Sequence, residues 1–484
     1  MHVTDRLHGD LPERTATDAQ QVIADDATLG TSGFGSVGYP KAVPEALADS
    51  GRDLDLAVVS GGSVGPEIDA ALTDADALER RFPYQSQPEL RDAANAGTVH
   101  YQDRHVSQVS DDVQYGGLAD VETAIVEAVA VGEDWLVPST SIGHTPALVA
   151  DAEQVVVEVN RAQPLELQRV HDVYRPGKPP TREPIPLREP SGRMGSPRVE
   201  FDADKLAAVV ETERPDTPYQ FRAPTDTDRT IAVNLARFLE SEIDRNPVFE
   251  SALNLQFGVG SLGNALMSAI SEVPVGDRTV TYWGEVIQDG LLDMLDEDVL
   301  AAASATSLAF SEDGQERFFA DIDDYADDLV VRPADVSNNP TLVDRFGVVA
   351  VNSALEVDVY GHVNSTHLNG SRVINGIGGS GDFNRAASVT IVALPSTAKD
   401  GEISRVVPMV PHVDHTEHEI DVVITEQGVA DVRGTSPRER AETIVEQCAH
   451  PDHRPTLSEY LDDAAEETGG HEPHRLDRVF SRTD

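Results

Sequence analysis

Short apolar runs that favour β-strands alternate along the whole chain with segments that favour helices. The strand-like runs are brief and mostly rich in β-branched residues, whereas 44–49, 121–131 and 264–270 favour helix. Alternation of this kind is typical of α/β proteins with largely parallel sheets. The strand-like runs are Leu56–Ser60, Trp135–Pro138, 155–159, 253–257, 280–283, 348–351, 389–392 and 421–424.

A proline-rich stretch interrupts this alternation between residues 175 and 197, where seven prolines occur. Proline removes backbone donors and resists helix, so the stretch is predicted to be an extended connector. An amphipathic helix over 228–244 is predicted to follow it. The chain length of 484 residues is more than a single hydrophobic core usually supports. We therefore predict an N-terminal α/β domain (1–175), a connector (176–225) and a C-terminal α/β domain (226–484), with a loose tail from about Asp462.

The charge of the chain excludes several classes of partner. Eighty-five acidic residues oppose 37 basic ones, giving a net charge of −48. Nucleic acids and anionic lipid surfaces both require a cationic face, so neither is an expected partner. The acidic residues are dispersed and only four lysines occur, a composition that suits a protein hydrated in concentrated salt. We therefore expect a halophilic source.

Targeting and cysteine signals are sparse. No stretch approaches the roughly 18 apolar residues of a membrane span, and the N-terminus lacks the layout of a signal peptide. Cys448 is the only cysteine, which excludes an intrachain disulfide. A cytoplasmic protein is the expectation.

Two segments carry the strongest chemical signal. The β-favouring run 280–283 delivers Glu285 to a strand end, with Gly284 beside it and Gly290 close behind. A glycine-rich stretch, Asn375-Gly-Ile-Gly-Gly-Ser-Gly-Asp-Phe-Asn-Arg385, could bring backbone N–H groups close to a ligand, either as a phosphate cradle or as an oxyanion hole. We expect distant loops of this kind to assemble one site around Glu285.

A dinucleotide site is the main competing hypothesis. Gly258-Val-Gly260-Ser-Leu-Gly263 is a literal G-x-G-x-x-G between a strand-like and a helix-like run, and Glu285 lies 22 residues beyond Gly263 (285 − 263). That spacing matches the fingerprint of nicotinamide- or flavin-binding proteins. The alternatives are a glycine turn lining an acyl-CoA pocket and a turn needed only for packing.

Three further motifs have weaker functional interpretations. Gly61-Gly-Ser63-Val-Gly65 has the G-x-S-x-G form of a hydrolase nucleophile elbow, although a βα glycine turn explains it as well. His412, His415 and His418 could bind zinc only on a particular backbone, and a solvated loop is the simpler interpretation. Thr31–Lys41 combines glycine turns with a nearby cation, as a ligand site would, but α/β domains also need glycine turns between strand and helix.

Several long motifs in order resemble the acetyl-CoA hydrolase/transferase family, a group of class I CoA-transferases, from about Val22 to Tyr460. They include Ser32-Gly-Phe-Gly-Ser-Val-Gly-Tyr-Pro-Lys41, Arg81-Phe-Pro-Tyr-Gln-Ser86, Val157-Glu-Val-Asn160, Gly258–Ala265, Gly284-Glu-Val-Ile-Gln-Asp-Gly290, Asn352–Asp358, Gly376–Phe383 and Thr425–Asp431. The resemblance implies two related open α/β domains of the CoA-transferase type, and commonly a homodimer.

The resemblance also implies roles for individual residues. Glu285 corresponds to a nucleophilic glutamate that carries CoA as a glutamyl thioester, with Asn352 and Glu426 placed around it. Acyl-CoA and small carboxylic acids are the implied substrates, with no metal and no resident cofactor. The implied CoA contacts are Gly260, Ser261, Leu262, Gly263, Asn264, Asn375, Gly378, Gly379 and Lys399.

One departure from the family pattern affects specificity. Members usually carry serine or threonine just before the glutamate, where this chain has Gly284. The acyl and acceptor preferences are therefore open. Three functions follow as hypotheses: a CoA-transferase using acetyl-CoA or another short acyl-CoA, an acetyl-CoA hydrolase with water as acceptor, and a CoA- or nucleotide-binding protein without catalysis.

Overall fold

A computed structural model describes residues 3–479 of the chain, except for the side chain of Ser261. The chain forms two compact units whose segments alternate along the sequence. Unit 1 contains 3–220, Thr281–Leu342 and Asn375–Asp382, and unit 2 contains Phe221–Val280, Val343–Ile374 and 383–479. The boundaries at 175 and 225 stay a prediction about domains, but Glu285 and the glycine-rich residues 375–382 belong to unit 1.

The strands are β1 Thr28–Thr31, β2 Leu56–Ser60, β3 Leu78–Phe82, β4 His100–Tyr101, β5 Thr123–Val131, β6 Trp135–Pro138, β7 Gln154–Asn160, β8 Val199–Glu200, β9 Leu206–Thr212, β10 Ala252–Phe257, β11 Thr279–Trp283, β12 Val286–Ile287 and β13 Ala302–Ala305. They continue with β14 Ser307–Leu308, β15 Leu329–Val331, β16 Val349–Ser353, β17 Glu356–Asp358, β18 Val363–Asn364, β19 His367–Leu368, β20 Arg372–Val373, β21 Val389–Ala393, β22 Thr397–Ala398, β23 Ile403–Ser404, β24 Val406–Val407, β25 Val422–Thr425 and β26 Gly428–Asp431.

The helices are α1 Ala16–Ala19, α2 Ala42–Ala48, α3 Asp69–Asp74, α4 Pro88–Ala96, α5 Val106–Asp111, α6 Thr145–Asp151, α7 Asp226–Arg245, α8 Ser261–Ser271, α9 Asp289–Asp296, α10 Glu312–Ala320, α11 Ile322–Tyr325, α12 Ala334–Ser337, α13 Pro340–Phe346, α14 Ser380–Asn384, α15 Pro437–Cys448 and α16 Arg454–Glu467. A π-helical turn, Asp112–Gly116, extends α5, and several 3-10 turns occur elsewhere.

Unit 1 is built on a nine-stranded sheet formed by β1 to β9. The pairs β1–β2, β1–β5, β2–β3, β3–β4, β5–β7 and β7–β9 are parallel, and only β6 pairs antiparallel with β5 and β8. β5 is buried along all nine residues, which is typical of a central strand covered on both faces. Leu29 and Val58 of the sheet pack with Leu47 and Leu72 of the covering helices in one apolar core.

The segment of unit 1 that carries Glu285 adds further parallel pairing. β13 pairs in parallel with β11 and with β15, and the short strands β12 and β14 pair in parallel beyond them. Unit 2 repeats this style, because β16 pairs in parallel with β10 and β21, and β21 with β25. β26 turns back antiparallel on β25. The predicted α/β class with mainly parallel sheets is therefore confirmed.

The predicted amphipathic helix is confirmed as α7, and its start has a clear local cause. Thr225 accepts a hydrogen bond from the amide of Asp228, whose carboxylate accepts one from the Thr225 amide, so the helix begins in a capping box. The buried stripe comprises Ile231, Ala232, Leu235, Phe238, Leu239 and Ile243. The connector contributes to unit 1, because β8 and β9 within it join that unit's sheet.

Two sequence-based predictions were wrong. The segment 121–131 is not a helix but contains β5, because its alternating valines and alanines fill a sheet that is buried on both faces. The tail is not loose over 462–479, since α16 continues to Glu467 and the Tyr360 hydroxyl donates to the carbonyl of Pro473 at 2.7 Å.

Cys448 ends α15 inside the core of unit 2. Its side chain is fully buried, and Sγ lies 3.2 Å from the Val423 carbonyl oxygen, to which it donates. Within residues 3–479, no helix is both long and apolar enough to cross a membrane.

Candidate active site

Glu285 follows the carboxyl end of β11 at a position fixed by backbone hydrogen bonds. Tyr282 and Trp283 at the end of the strand are fully buried, and Gly284 then donates to the Ser304 carbonyl oxygen at 3.0 Å. The Glu285 carbonyl accepts from the amides of Thr306 (3.0 Å) and Ser307 (3.1 Å), and from the Ser307 hydroxyl (3.2 Å). The residue therefore lies at the end of parallel strands, where α/β proteins commonly bind ligands.

The Glu285 carboxylate is partly buried and held by two donors. Asn338 donates from Nδ2 to Oε1 at 2.9 Å, and the Gly379 amide donates to the same carboxylate. Burial raises the pKa of Glu285, the bonds from Asn338 and Gly379 lower it, and the nearby Asp382 carboxylate raises it, so that the net pKa is about 7. The side chain is thus poised to gain or lose its proton near neutral pH.

Glycine at 379 is required by the close approach of its backbone to the carboxylate. A Cβ atom there would lie 2.2 Å from Nδ2 of Asn338 and 2.3 Å from Oε1 of Glu285, well inside any tolerable contact. The residue is buried, and its glycine identity is what lets the amide reach Glu285. The predicted association between Glu285 and Gly379 is therefore seen in unit 1.

Two carboxylates anchor the glycine-rich segment of unit 1 on both sides of Gly379. The Ile377 amide donates to Oδ2 of Asp103 at 2.7 Å. Beyond Gly379, the carboxylate of Asp382 accepts from the Ser107 amide (2.9 Å) and hydroxyl (2.6 Å), at the start of α5. These bonds hold the backbone that presents the Gly379 amide.

Tyr84 packs against the same segment. A Cβ at Gly376 would lie 2.6 Å from Cδ2 of Tyr84, and one at Gly378 would lie 3.4 Å from its Cε2. Burial raises the pKa of Tyr84 well above its usual range, and the neighbouring Tyr219 phenol and the Glu285 and Asp103 carboxylates add to that shift. Tyr84 is therefore a neutral phenol close to the Glu285 carboxylate.

Asn352 and Glu426, the other two predicted catalytic residues, belong to unit 2. Asn352 in β16 is buried, exchanges two hydrogen bonds with Gln256 (3.2 and 3.3 Å), and donates to Oδ1 of Asn384 at 2.8 Å. Glu426 follows β25. Its carboxylate accepts from the amide and hydroxyl of Ser396 and from Gln427. Burial alone would raise the pKa of Glu426, but these hydrogen bonds outweigh it and hold the pKa below its usual value.

The predicted CoA-contacting turn of unit 2 has the expected strand–turn–helix setting. Gly260 precedes α8 with a φ of 134°, a conformation that favours glycine, and its carbonyl accepts from the Asn264 amide at 3.0 Å. Leu262 and Asn264 are half-buried, Gly263 is buried, and the side chain of Ser261 lies outside the described part of the chain. Oδ1 of Asn264 has no hydrogen-bond partner among the described residues.

The remaining predicted CoA contacts differ in exposure. Asn375 is half-buried, and its Oδ1 lacks a hydrogen-bond partner within 3–479. Gly378 has a φ of 59°, in the left-handed region. Lys399 is exposed in the turn of the β22–β23 hairpin of unit 2, with a φ of 49°.

The alternative motifs have structural explanations. Within residues 3–479, Ser63 has no hydrogen bond to a histidine. His144 directs Nδ1 to the Ser110 hydroxyl at 2.9 Å, and burial lowers the pKa of His144 to about 3. His412 lies beside Asp414, whereas His418 is exposed beside Glu417. Within the described residues, no group of three or more His, Cys, Asp or Glu side chains could hold a metal ion.

Lys41 of the motif 32–41 is a structural residue. Its fully buried ammonium lies 2.6 Å from Oε2 of Glu127 and 2.8 Å from Oδ1 of Asp216. The Asp216 carboxylate also accepts from the Gly38 amide at 3.2 Å, so the ion cluster ties the glycine turn to the sheet of unit 1. The Lys41 ammonium is therefore paired with carboxylates of the protein itself.

Four residues that the structure places around Glu285 were not among the predicted site residues. They are Asn338, Asp103, Ser107 and Tyr84, and each contacts either the glutamate or the glycine-rich segment. Only Tyr84 lay within a recognised motif, residues 81–86. The other three occupy loops or helix starts with no distinctive local pattern, so their role depends on tertiary contacts.

Profiles of two protein domains match the chain. The Acetyl-CoA hydrolase/transferase N-terminal domain matches residues 12–211, and the corresponding C-terminal domain matches residues 314–461. Glu285 lies in the interval that these two matches leave uncovered, but full-length relatives align across it.

Relatives with assigned names align over nearly the whole chain. A succinyl-CoA:acetate CoA-transferase of Clostridium kluyveri is 41% identical over 472 residues, covering 96% of this chain and 87% of the relative. A propanoyl-CoA:succinate CoA transferase of Escherichia coli is 40% identical, covering 96% of each chain. An acetyl-CoA hydrolase of Saccharomyces cerevisiae is 37% identical, covering 93% of this chain and 89% of the relative.

Solved structures share the fold at low sequence identity. RipA from Yersinia pestis has a TM-score of 0.71 at 21% identity, covering 94% of this chain and 96% of its own. A 4-hydroxybutyrate CoA-transferase from Porphyromonas gingivalis has a TM-score of 0.63 at 20% identity, covering 94% and 97%. From the two profile matches and the relatives of about 40% identity, we conclude that this chain belongs to the acetyl-CoA hydrolase/transferase family.

Proposed function

We propose that this enzyme transfers CoA between acetyl-CoA, or another short acyl-CoA, and a carboxylic acid through a glutamyl-CoA thioester on Glu285. The observation that carries the proposal is the carboxylate itself. It is partly desolvated, with a pKa near 7, and it accepts hydrogen bonds from the Asn338 side chain and the Gly379 amide. The Gly379 backbone lies so close to the carboxylate that a side chain at position 379 would not fit. A carboxylate attacks a thioester effectively only when it is oriented and partly stripped of water.

The reaction begins with the ionised form of Glu285. A carboxylate oxygen attacks the acyl carbonyl carbon, the carbon–sulfur bond breaks, and CoA leaves as a thiolate while an acyl-glutamyl anhydride remains. The thiolate then attacks the glutamyl carbonyl carbon and expels the original acid as a carboxylate. The product of this half-reaction is a glutamyl-CoA thioester.

An acceptor carboxylate completes the cycle by the same steps in reverse. It attacks the glutamyl thioester, releases the thiolate and forms a new anhydride with Glu285. The thiolate then attacks the acceptor's acyl carbon, which frees Glu285 and yields the new acyl-CoA. No step oxidises or reduces the substrates.

Asn338 and Gly379 are proposed to stabilise the oxyanions that form when the glutamyl carbonyl carbon is attacked. Both already donate to the carboxylate oxygens of Glu285, so no reorganisation is needed when negative charge concentrates on one oxygen. Preorganised donors of this type contribute roughly 3–4 kcal/mol each to a transition state. Asn352 and Glu426 are proposed as further catalytic residues. The proposed CoA contacts are the turn Gly260–Asn264, Asn375, Gly378 and Lys399.

Acetyl-CoA hydrolysis is the second candidate, and relatives named acetyl-CoA hydrolase at 36–40% identity favour it. The two functions differ in whether water reaches the glutamyl thioester before an acceptor acid does. CoA release from acetyl-CoA is therefore measured with and without succinate or propionate. Transfer requires a new acyl-CoA that forms only with the acid, whereas hydrolysis releases CoA at the same rate without it.

Trapping of the intermediate tests the proposal directly. The protein is incubated with acetyl-CoA in concentrated salt and reduced with borohydride, which converts a thioester to an alcohol, and the digest is mapped by mass spectrometry. Modification of Glu285 that requires acetyl-CoA is expected. Glu285→Gln with acetyl-CoA, and wild type with free CoA, serve as controls. An unmodified Glu285 in folded, CoA-binding wild-type protein would contradict the glutamyl thioester.

The proposal also covers the setting of the enzyme. We propose a cytoplasmic homodimer that takes acyl-CoA and small carboxylic acids as substrates, with coenzyme A as substrate rather than resident cofactor. Light scattering in concentrated salt tests the dimer, because a monomer of 52.1 kDa would give half the expected mass.

A further inference from the structure

Gly284, which precedes Glu285, is required for space and not for backbone conformation. Its φ does not fall in the left-handed region, in contrast to the φ of 59° at Gly378. A Cβ at position 284 would instead lie 2.3 Å from Oη, 2.5 Å from Cζ and 2.9 Å from Cε1 of Tyr282. Tyr282 is fully buried, so its ring has no free space into which to retreat.

The same tyrosine spans the turn that carries Glu285. Its hydroxyl donates to the carbonyl oxygen of Val286 at 3.0 Å, on the far side of the glutamate. The side chain therefore starts at the end of β11, passes over Gly284 and closes a five-residue loop, 282–286, that contains Glu285. Further backbone bonds to this loop come from the neighbouring strand segment, through Ser304, Thr306 and Ser307.

We infer that Tyr282 is a positioning residue for Glu285, and that Gly284 is its steric complement. The inference rests on the proposed role of Glu285 as the nucleophile. Glu285 becomes an anhydride and then a thioester, and each intermediate must return to the donors Asn338 and Gly379. A buried phenol fixed across the turn keeps the glutamate backbone in place during these changes. A displacement of about 1 Å at a reacting group can cost about 100-fold in rate.

Tyr282→Phe tests the hydroxyl while preserving the ring. We expect kcat for acetyl-CoA to fall about 10- to 100-fold, with KM for acetyl-CoA and the affinity for CoA unchanged. Tyr360→Phe is the matched control, because Tyr360 is also buried and also donates to a backbone carbonyl, that of Pro473 in unit 2. We expect Tyr360→Phe to lose comparable stability and to retain kcat.

Steric complementarity is tested by a double-mutant cycle. Leucine at 282 lacks Oη, Cζ and Cε1, the three atoms that a Cβ at 284 would meet. We therefore expect Gly284→Ala to lower kcat at least tenfold in the wild type, but several-fold less in the Tyr282→Leu background. Equal penalties in both backgrounds would overturn the complement, and a Tyr282→Phe enzyme with wild-type kcat would overturn the positioning role. An equal loss of kcat in Tyr360→Phe would also overturn it, since general destabilisation would then suffice.

Failure of this inference is distinguishable from failure of the proposed function. Borohydride trapping on wild-type Glu285 reports the nucleophile without any variant of Tyr282 or Gly284. Trapping on Glu285 together with a fully active Tyr282→Phe would remove the inference alone. Absence of trapping would remove the nucleophile, and the positioning role with it.

Discussion

Asn338 donates from Nδ2 to Oε1 of Glu285 across 2.9 Å, although 53 positions separate the two residues in the chain. Asn338 directly follows the last residue of α12, whereas Glu285 follows the end of β11. The bond stabilises the ionised carboxylate against the burial that raises its pKa. It therefore links the protonation state of the proposed nucleophile to a single neutral side chain.

Asn338→Ala is expected to shift the pH dependence of the reaction. Since Asn338 lowers the pKa of Glu285 from the value that burial alone would give, its removal raises that pKa above about 7. The acid limb of kcat/KM should then move to higher pH, and the rate above the limb should fall about 10- to 100-fold, because a hydrogen bond to a charged group contributes about 1.5–3 kcal/mol. A pH–rate profile measures both effects.

Asn339→Ala is the control for that profile. Asn339 donates to the Asp335 carbonyl and does not reach Glu285. An unshifted acid limb in Asn338→Ala, or the same shift in both variants, would contradict the assignment.

Glu285→Gln is expected to stabilise the protein at alkaline pH. The folded-state pKa near 7 exceeds the ordinary value of 4.5, so ionisation costs stability as pH rises through this window. Below about pH 4.5 the carboxyl is protonated in both states and the variant gains nothing. Above pH 7 the gain approaches about 3 kcal/mol. Unfolding midpoints at pH 4.5 and pH 8, at one salt concentration, should diverge only at the higher pH; a gain of equal size at both would refute the linkage.

Gly379→Ala is expected to abolish turnover, with a loss exceeding about 100-fold. A Cβ at position 379 would lie 2.2 Å from Nδ2 of Asn338 and 2.3 Å from Oε1 of Glu285, so either the backbone or these side chains must move. Gly97→Ala is the control, because nothing lies within 4 Å of its Cβ and its left-handed φ of 76° costs about 1–2 kcal/mol. Steady-state kinetics should therefore separate the two variants by at least tenfold; equal losses would contradict the close approach at 379.

Low salt is expected to unfold the protein. A net charge of −48 repels itself strongly, and the Debye length grows from about 3 Å at 1 M to about 30 Å at 0.01 M. The unfolding temperature should therefore fall steeply on dialysis from molar to millimolar salt. A salt-independent unfolding temperature would remove the halophilic hypothesis.

Much of the architecture could be predicted from local patterns, whereas the site could only partly be. Burial makes apolar residues recur with the period of a strand or a helix. This pattern predicted the β-branched strands, the apolar stripe of α7 and the strand–turn–helix around Gly260. The alanine-rich β5 was predicted as a helix, because alanine and glutamate favour helix locally, whereas packing in the sheet determines the structure. Glu285 and Gly379 stand in recognisable motifs. Asn338, Asp103 and Ser107 do not, since a single polar side chain in a loop or at a helix end has no periodic signature and acquires its role only from tertiary contacts.

The seclusion of Cys448 has a practical consequence. Burial raises the pKa of its thiol to about 12, so the sulfur is protonated and shielded under the conditions of a normal assay. A chromogenic thiol reagent added to the native enzyme should therefore record coenzyme release continuously, with little background from the protein. A cysteine introduced at any exposed position would for the same reason accept a fluorophore or spin label alone, without the need to delete a native thiol first.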